Sequence, residues 1–111
     1  AVSVGLYPTS SREQVEYIVN DSGARFLFVE NEEQLDKYLA IRGRVPSLRK
    51  VIVFDMEGLR DFRDPMVISI DELYRIGAEY EKAHPGEWDA RVDAAQPEDL
   101  MILIYTSGTT G

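Results

Sequence analysis

Tyr105-Thr106-Ser107-Gly108-Thr109-Thr110-Gly111 gathers four aliphatic hydroxyls and two glycines into one short stretch. Ser and Thr hydroxyls donate hydrogen bonds to anionic oxygens. Glycine lets backbone N–H groups approach the same oxygens without a Cβ in the way. That combination suits a phosphate group. The apolar run Leu100-Met101-Ile102-Leu103-Ile104 stands directly before it, so a buried strand is expected to feed the loop. In open parallel sheets, ligands sit beyond the carboxyl ends of strands. Two better-known phosphate loops do not fit. A Walker loop needs G-x-x-x-x-G-K-[ST], but Gly108 and Gly111 are too close and no Lys follows; a dinucleotide loop needs a first Gly that is absent. Spacing alone leaves a flexible turn of small residues open.

The other chemistry-bearing residues read as structural. His84 is the single histidine, beside Pro85 and Gly86, and is expected to end a helix, where the dipole favours it. Asp61 and Asp64 alternate with Arg60 and Arg63 and read as solvated ion pairs. Trp88 is expected to anchor a polar connection. Tyr74 and Tyr80 read as core. Glu30-Asn31-Glu32-Glu33 reads as a solvated helix start rather than a metal site.

Elements that could position the loop follow from periodicity and punctuation. Ala1 to Tyr7 reads as a strand ended by Pro8. Ser10 with Glu13 forms a capping-box pattern, and Val15, Ile18 and Val19 share a helical face. Gly23 ends that helix and Arg25 to Val29 is a second strand. Asn31 caps the next helix, with Leu35, Tyr38 and Leu39 inward and Gly43 near its stop. Lys50 to Phe54 is a third strand, residues 55 to 65 a loop, and Met66 to Ile68 a short strand. Ser69 and Glu72 open a third helix, where Ile70, Leu73, Tyr74, Gly77 and Tyr80 share a side and Gly77 permits close packing. Glu87 to Asp99 reads as a polar connection. Alternating strands and helices imply an α/β fold: a mostly parallel, Rossmann-like, three-layer sheet with helical crossovers. The continuously apolar strands need cover on both faces, and three helices are too few for that. The expectation is one α/β segment, residues 1–111, of something larger, ending inside the loop.

Composition sets the outer limits. The 111 residues carry 20 acidic and 12 basic side chains, a net charge of −8. That argues against nucleic acid or an anionic membrane as the partner of this segment. The 44% apolar share is that of a globular fold. There is no cysteine, hence no disulfide framework, which fits a cytoplasmic protein. Ala1 to Gly5 lacks a signal-peptide pattern. No apolar run approaches the roughly 20 residues that span a bilayer; peripheral contact of the parent with the inner face of a membrane, and homo-oligomers, stay open.

Tyr105 to Gly111 resembles the front half of the phosphate-binding signature of the adenylate-forming superfamily: acyl-CoA synthetases, beetle luciferases and peptide-synthetase adenylation domains. There the signature continues through a variable residue to Pro, Lys and Gly. Ala1-Val2-Ser3-Val4-Gly5-Leu6-Tyr7-Pro8-Thr9-Ser10-Ser11 is similar to the segment of acyl-CoA synthetases that enters the nucleotide domain, although the family more often has Pro where Gly5 stands. Asp21 to Val29 resembles the next helix–strand junction, and Glu98-Asp99-Leu100 also fits. The helix Ser69 to Ala83 and the connection through Trp88 look most like bacterial long-chain fatty acid–CoA ligases. The resemblance implies that residues 1–111 are part of a larger N-terminal, AMP-binding domain, cut within the phosphate-binding loop; it implies ATP, Mg²⁺ and coenzyme A, and a fatty acid that is first adenylated and then thioesterified. It implies that Thr106 contacts Mg²⁺ through its hydroxyl, that Ser107, Thr109 and Thr110 donate to the β- and γ-phosphates, and that Gly108 and Gly111 give backbone access. It assigns no catalytic side chain here. A piece without the motif Lys is expected to be inactive alone. The competing expectation is a non-catalytic α/β binding or scaffold module whose Thr/Gly-rich end is only a linker.

Overall fold

A computed structural model describes residues 1–106. Five strands and four α-helices follow one another along these residues: β1 (Ser3–Val4), α1 (Arg12–Ser22), β2 (Phe26–Val29), α2 (Glu32–Ile41), β3 (Lys50–Val53), β4 (Val67–Ser69), α3 (Ile70–Ala83), α4 (Glu87–Ala94) and β5 (Ile102–Leu103). A turn of 3₁₀ helix, Arg42–Arg44, follows α2. Every strand pair is parallel. The strands form two patches, a three-stranded sheet in the order β2-β3-β4 and the pair β1-β5. The α/β class with parallel pairing and helical crossovers is the one expected.

The core lies between the three-stranded sheet and the two helices α1 and α2. β2 alternates, with Leu27 and Val29 buried and Phe26 and Phe28 exposed. Register places Leu27 beside Val51 and Val51 beside Val67, so one face is aliphatic across all three strands. Val15 and Val19 of α1 and Leu35, Tyr38 and Ile41 of α2 close over it. Leu35 and Ile41 have no exposed surface; burying such a side chain contributes about 1.5–3 kcal/mol. On the opposite face Phe28, Ile52 and Ile68 lie in register. Ile52 is 2% exposed yet stands outside the core cluster. α3 packs on β3 and β4 and adds nothing to that cluster, so it covers the Ile52 face. Phe28 and Phe54 stack at 5.8 Å on the remainder.

Several boundaries differ from the sequence reading. The α1 cap is Ser11 with Gln14, not Ser10 with Glu13: Ser11 Oγ accepts from the Gln14 N–H at 3.1 Å, and Gln14 Oε1 accepts from the Ser11 N–H at 2.7 Å. Ser10 is still inside the preceding turn, its N–H donating to the Tyr7 carbonyl at 3.0 Å. Gly23, with φ 69°, ends α1 as expected; the left-handed conformation needs glycine. Asn31 caps α2 by accepting from the Gln34 N–H. Ser69 caps α3 by accepting from the Glu72 N–H, but the Glu72 carboxylate turns forward to Arg75 at 2.5 Å, and this pairing lowers its pKa.

The stretch expected as a polar connection contains α4. Its apolar residues show no helical stripe, and pairing holds it instead: Arg91 to Glu87 at 2.8 Å and Tyr80 Oη donating to Glu87 Oε2 at 2.6 Å. The hydroxyl of Tyr80 and the guanidinium of Arg91 hold the Glu87 carboxyl below the usual carboxylate range. Tyr74 and Tyr80, expected in the core, are 67% and 49% exposed, and Trp88, expected as an anchor, is 74% exposed. α3 meets the sheet near its start, so the sheet does not cover its outer turns, and the short α4 leaves them exposed. Gly77 permits no close packing either; a Cβ there would meet nothing within 4 Å. His84 does end α3, stacked on Tyr80 at 4.1 Å. Asp64 pairs with Arg42 at 2.7 Å, a guanidinium that lowers its pKa, rather than with Arg60 or Arg63. Arg63 turns to the Arg60 and Phe62 carbonyls.

Candidate functional site

The pair β1-β5 brings the first and last described strands together. Ser3 stands beside Ile102 and Val4 beside Leu103, and the Ser3 N–H donates to the Met101 carbonyl at 2.9 Å. Both strands run the same way, so their carboxyl ends open on the same side. There Gly5, Leu6 and Tyr7 after β1, and Ile104 and Tyr105 after β5, line a cavity of about 200 Å³. Leu6 packs on the core. The Pro8 carbonyl accepts from Gln34 Nε2 at 3.1 Å and Lys37 Nζ at 2.7 Å. One wall of the cavity is therefore tied to α2.

The other wall is tied to α1 through Tyr105. Its hydroxyl donates to Asp21 Oδ2 at 2.7 Å, and its ring meets Tyr17 edge-on at 6.4 Å and 85°. The bond to the Asp21 carboxylate, with loss of solvent and the nearby negative charge, pushes the Tyr105 phenol up to about 12. Thr106 follows immediately and is exposed. Of the residues the sequence singles out, Thr106 is thus placed just past the carboxyl end of β5. Ser107, Gly108, Thr109, Thr110 and Gly111 lie outside the described residues.

Electrostatics separate this edge from the other carboxyl edge of the fold. Beyond β2 and β3 come Glu30 and Asp55, joined by a backbone bond from the Asp55 N–H to the Glu30 carbonyl at 2.8 Å, with Glu57 capped on Asp55 Oδ1. Three carboxylates there repel a polyphosphate. The β1-β5 cavity has no carboxylate in its lining, and Asp21 nearby is engaged by Tyr105. A larger cavity, about 470 Å³, opens between α3 and α4 against Tyr80, His84, Trp88 and Arg91. It lies at no strand end. Among the described residues no group of His, Cys, Asp and Glu is arranged to hold a metal ion.

A sequence model of the AMP-binding enzyme family matches residues 1–111. The chain belongs to that family. Curated relatives agree along its length. It is 35% identical to the long-chain-fatty-acid–CoA ligase ACSBG1 of Rattus norvegicus, over 99% of this chain and 15% of the relative. It is 38% identical to the long-chain-fatty-acid–CoA ligase FadD15 of Mycobacterium bovis, over 100% of this chain and 17% of the relative. It is 32% identical to the long-chain-fatty-acid–CoA ligase ACSBG2 of Xenopus laevis, over 98% of this chain and 14% of the relative. The chain therefore spans about one-sixth of such proteins. No solved structure matches it. In this AMP-binding enzyme segment, the hold of Asp21 and Tyr17 on Tyr105 is barely legible in the sequence pattern. Its one visible signal is an aspartate in the last turn of a helix that has no basic residue there.

Proposed function

We propose that the full-length protein is an ATP-dependent ligase that activates a long-chain fatty acid as an acyl-adenylate and then transfers the acyl group to coenzyme A. The observation that carries this reading is the position of Thr106, one residue past Tyr105 at the carboxyl end of a parallel strand pair. Membership of the AMP-binding family over the whole chain supports it, as do the names of the relatives. That membership speaks against a scaffold module ending in a linker.

In the first half-reaction a carboxylate oxygen attacks the α-phosphorus of ATP and the bond to pyrophosphate breaks. In the second, the coenzyme A sulfur attacks the acyl carbon and AMP leaves. This segment serves the first. By their place in the motif, Ser107, Thr109 and Thr110 would donate hydroxyl bonds to the β- and γ-phosphate oxygens, and Gly108 and Gly111 would let backbone N–H groups approach them. Such donors matter most where negative charge grows in the transition state. Thr106 as a residue is exposed, and a hydroxyl oxygen is the kind of hard ligand that Mg²⁺ prefers; when bound, that ion would neutralise phosphate charge. Hydroxyls carry no positive charge, so further cations must come from elsewhere in the protein.

The test is product analysis. Full-length protein with palmitate, ATP, Mg²⁺ and coenzyme A should yield palmitoyl-CoA and AMP in equal amounts. Release of ADP and inorganic phosphate instead, or no thioester with any chain length, would overturn the ligase assignment.

A further inference from the structure

α1 carries an acidic side chain where helix electrostatics disfavour one. Asp21 sits in the last turn, just before Ser22, and that turn has no basic residue; carbonyls at a helix C-terminus repel a carboxylate. Asp21 nevertheless accepts a 2.7 Å bond from Tyr105, 84 residues away in the chain. Hydrogen bonds to an ionised acceptor are the stronger kind. Tyr17, four residues before Asp21 and on the same helical face, meets the Tyr105 ring edge-on. One helix thus holds both the ring and the hydroxyl of the residue that precedes Thr106.

The ladder beside it is short. β1 and β5 pair through only two register positions, so the sheet alone fixes the end of β5 weakly. α1 is anchored much more firmly, with Val15 and Val19 in the core and its C-terminus tied to the Arg44 carbonyl through Asn20 at 2.9 Å. We propose that Asp21 and Tyr17 are positioning residues that act through Tyr105 to fix where the phosphate-binding loop begins. They touch no phosphate themselves. The proposal rests on the ligase reading above. It adds that the place of Thr106, directly after Tyr105, depends on a two-point clamp from α1.

The test uses the full-length protein as wild type, Asp21→Ala, Asp21→Asn, Tyr105→Phe and the Asp21→Ala/Tyr105→Phe double variant. Two readouts are needed: palmitate-dependent exchange of labelled pyrophosphate into ATP, and thioester formation from supplied palmitoyl-adenylate. Asp21→Ala and Tyr105→Phe should each lower kcat/KM for ATP in the exchange, by up to about 10²-fold, the cost of misplacing a reacting group by about 1 Å. The double variant should be no worse than either single one, because both remove the same bond. Asp21→Asn should restore most of the loss, since its amide oxygen still accepts from the hydroxyl. The thioester step should be unchanged in all. Normal wild-type exchange with unaffected variants, additive losses, or equal losses in both half-reactions would overturn the clamp and leave the ligase reading intact. Wild-type protein that exchanges pyrophosphate with no acid would overturn the ligase reading, and the clamp's role with it.

Discussion

Thr109 carries the sharpest expectation at the scale of single residues. Thr109→Val keeps the shape and removes one donor. If that donor meets a phosphate oxygen whose charge grows in the transition state, adenylate formation should lose about 2–4 kcal/mol, the scale of one oxyanion-hole donor. That is a rate loss on the order of 10²–10³-fold. Thioester formation from supplied acyl-adenylate involves no pyrophosphate and should be nearly unaffected; equal losses in the two assays would contradict the assigned role. Tyr105 gives a second expectation. Its phenol pKa is raised to about 12 by the Asp21 carboxylate. A raised pKa means that the stabilising bond is fully present below the ordinary phenol value near 10 and is lost as pH rises through about 12. The difference in tyrosinate absorbance between wild type and Tyr105→Phe should therefore show no ionisation step near pH 10. A step there would mean that the hydroxyl is not bonded to Asp21. The hydroxyl-and-glycine loop was legible because its chemistry is written in consecutive residues. The Asp21–Tyr105 bond was not, because it joins residues 84 apart and only the fold brings them together.

At the scale of elements, apolar periodicity carried the reading where one face is buried and misled where none is. Val15, Val19, Leu35 and Tyr38 mark the inward faces of α1 and α2, and all four are in the core. Tyr74 and Tyr80 have the same spacing in α3 and are exposed, because spacing defines a face and cannot say whether another surface covers it. α4 was missed because ion pairs and a tyrosine hydroxyl, rather than an apolar stripe, hold it. The α1 cap was displaced by one residue because two serines stand side by side and the backbone turn at Tyr7–Ser10 decides between them. Gly23 offers a test of the α1 boundary. At φ 69°, Gly23→Ala has open space for its Cβ and is opposed by backbone conformation alone, at roughly 1–2 kcal/mol. Urea unfolding of the full-length protein should show a loss of that size in the transition that includes this segment. No loss would mean that α1 ends elsewhere.

Across the whole molecule, the core is concentrated in one half. Among the described residues every buried one falls between Ser10 and Leu59, and β1, β5, α3 and α4 contribute none. The Cα radius of gyration is 15.8 Å, against about 13 Å for a compact domain of this length. Phe26, Phe28 and Phe54 on one sheet face, and Leu100, Met101 and Ile104 around β5, are exposed; apolar surface of that extent marks places where further protein packs. Residues 1–111 expressed alone should bind an apolar dye, associate and form no thioester. A monomer with cooperative unfolding and no dye binding would contradict this account of the surface. No described helix is long and apolar enough to cross a membrane. The proposed grip of the stretch from Thr106 to Gly111 is on the phosphates that leave as pyrophosphate. It is tested most directly by exchange of labelled pyrophosphate into ATP, catalysed by the full-length protein without coenzyme A. Exchange should require both Mg²⁺ and a long-chain fatty acid. Absence of exchange with short, medium, long and aromatic acids alike would contradict it.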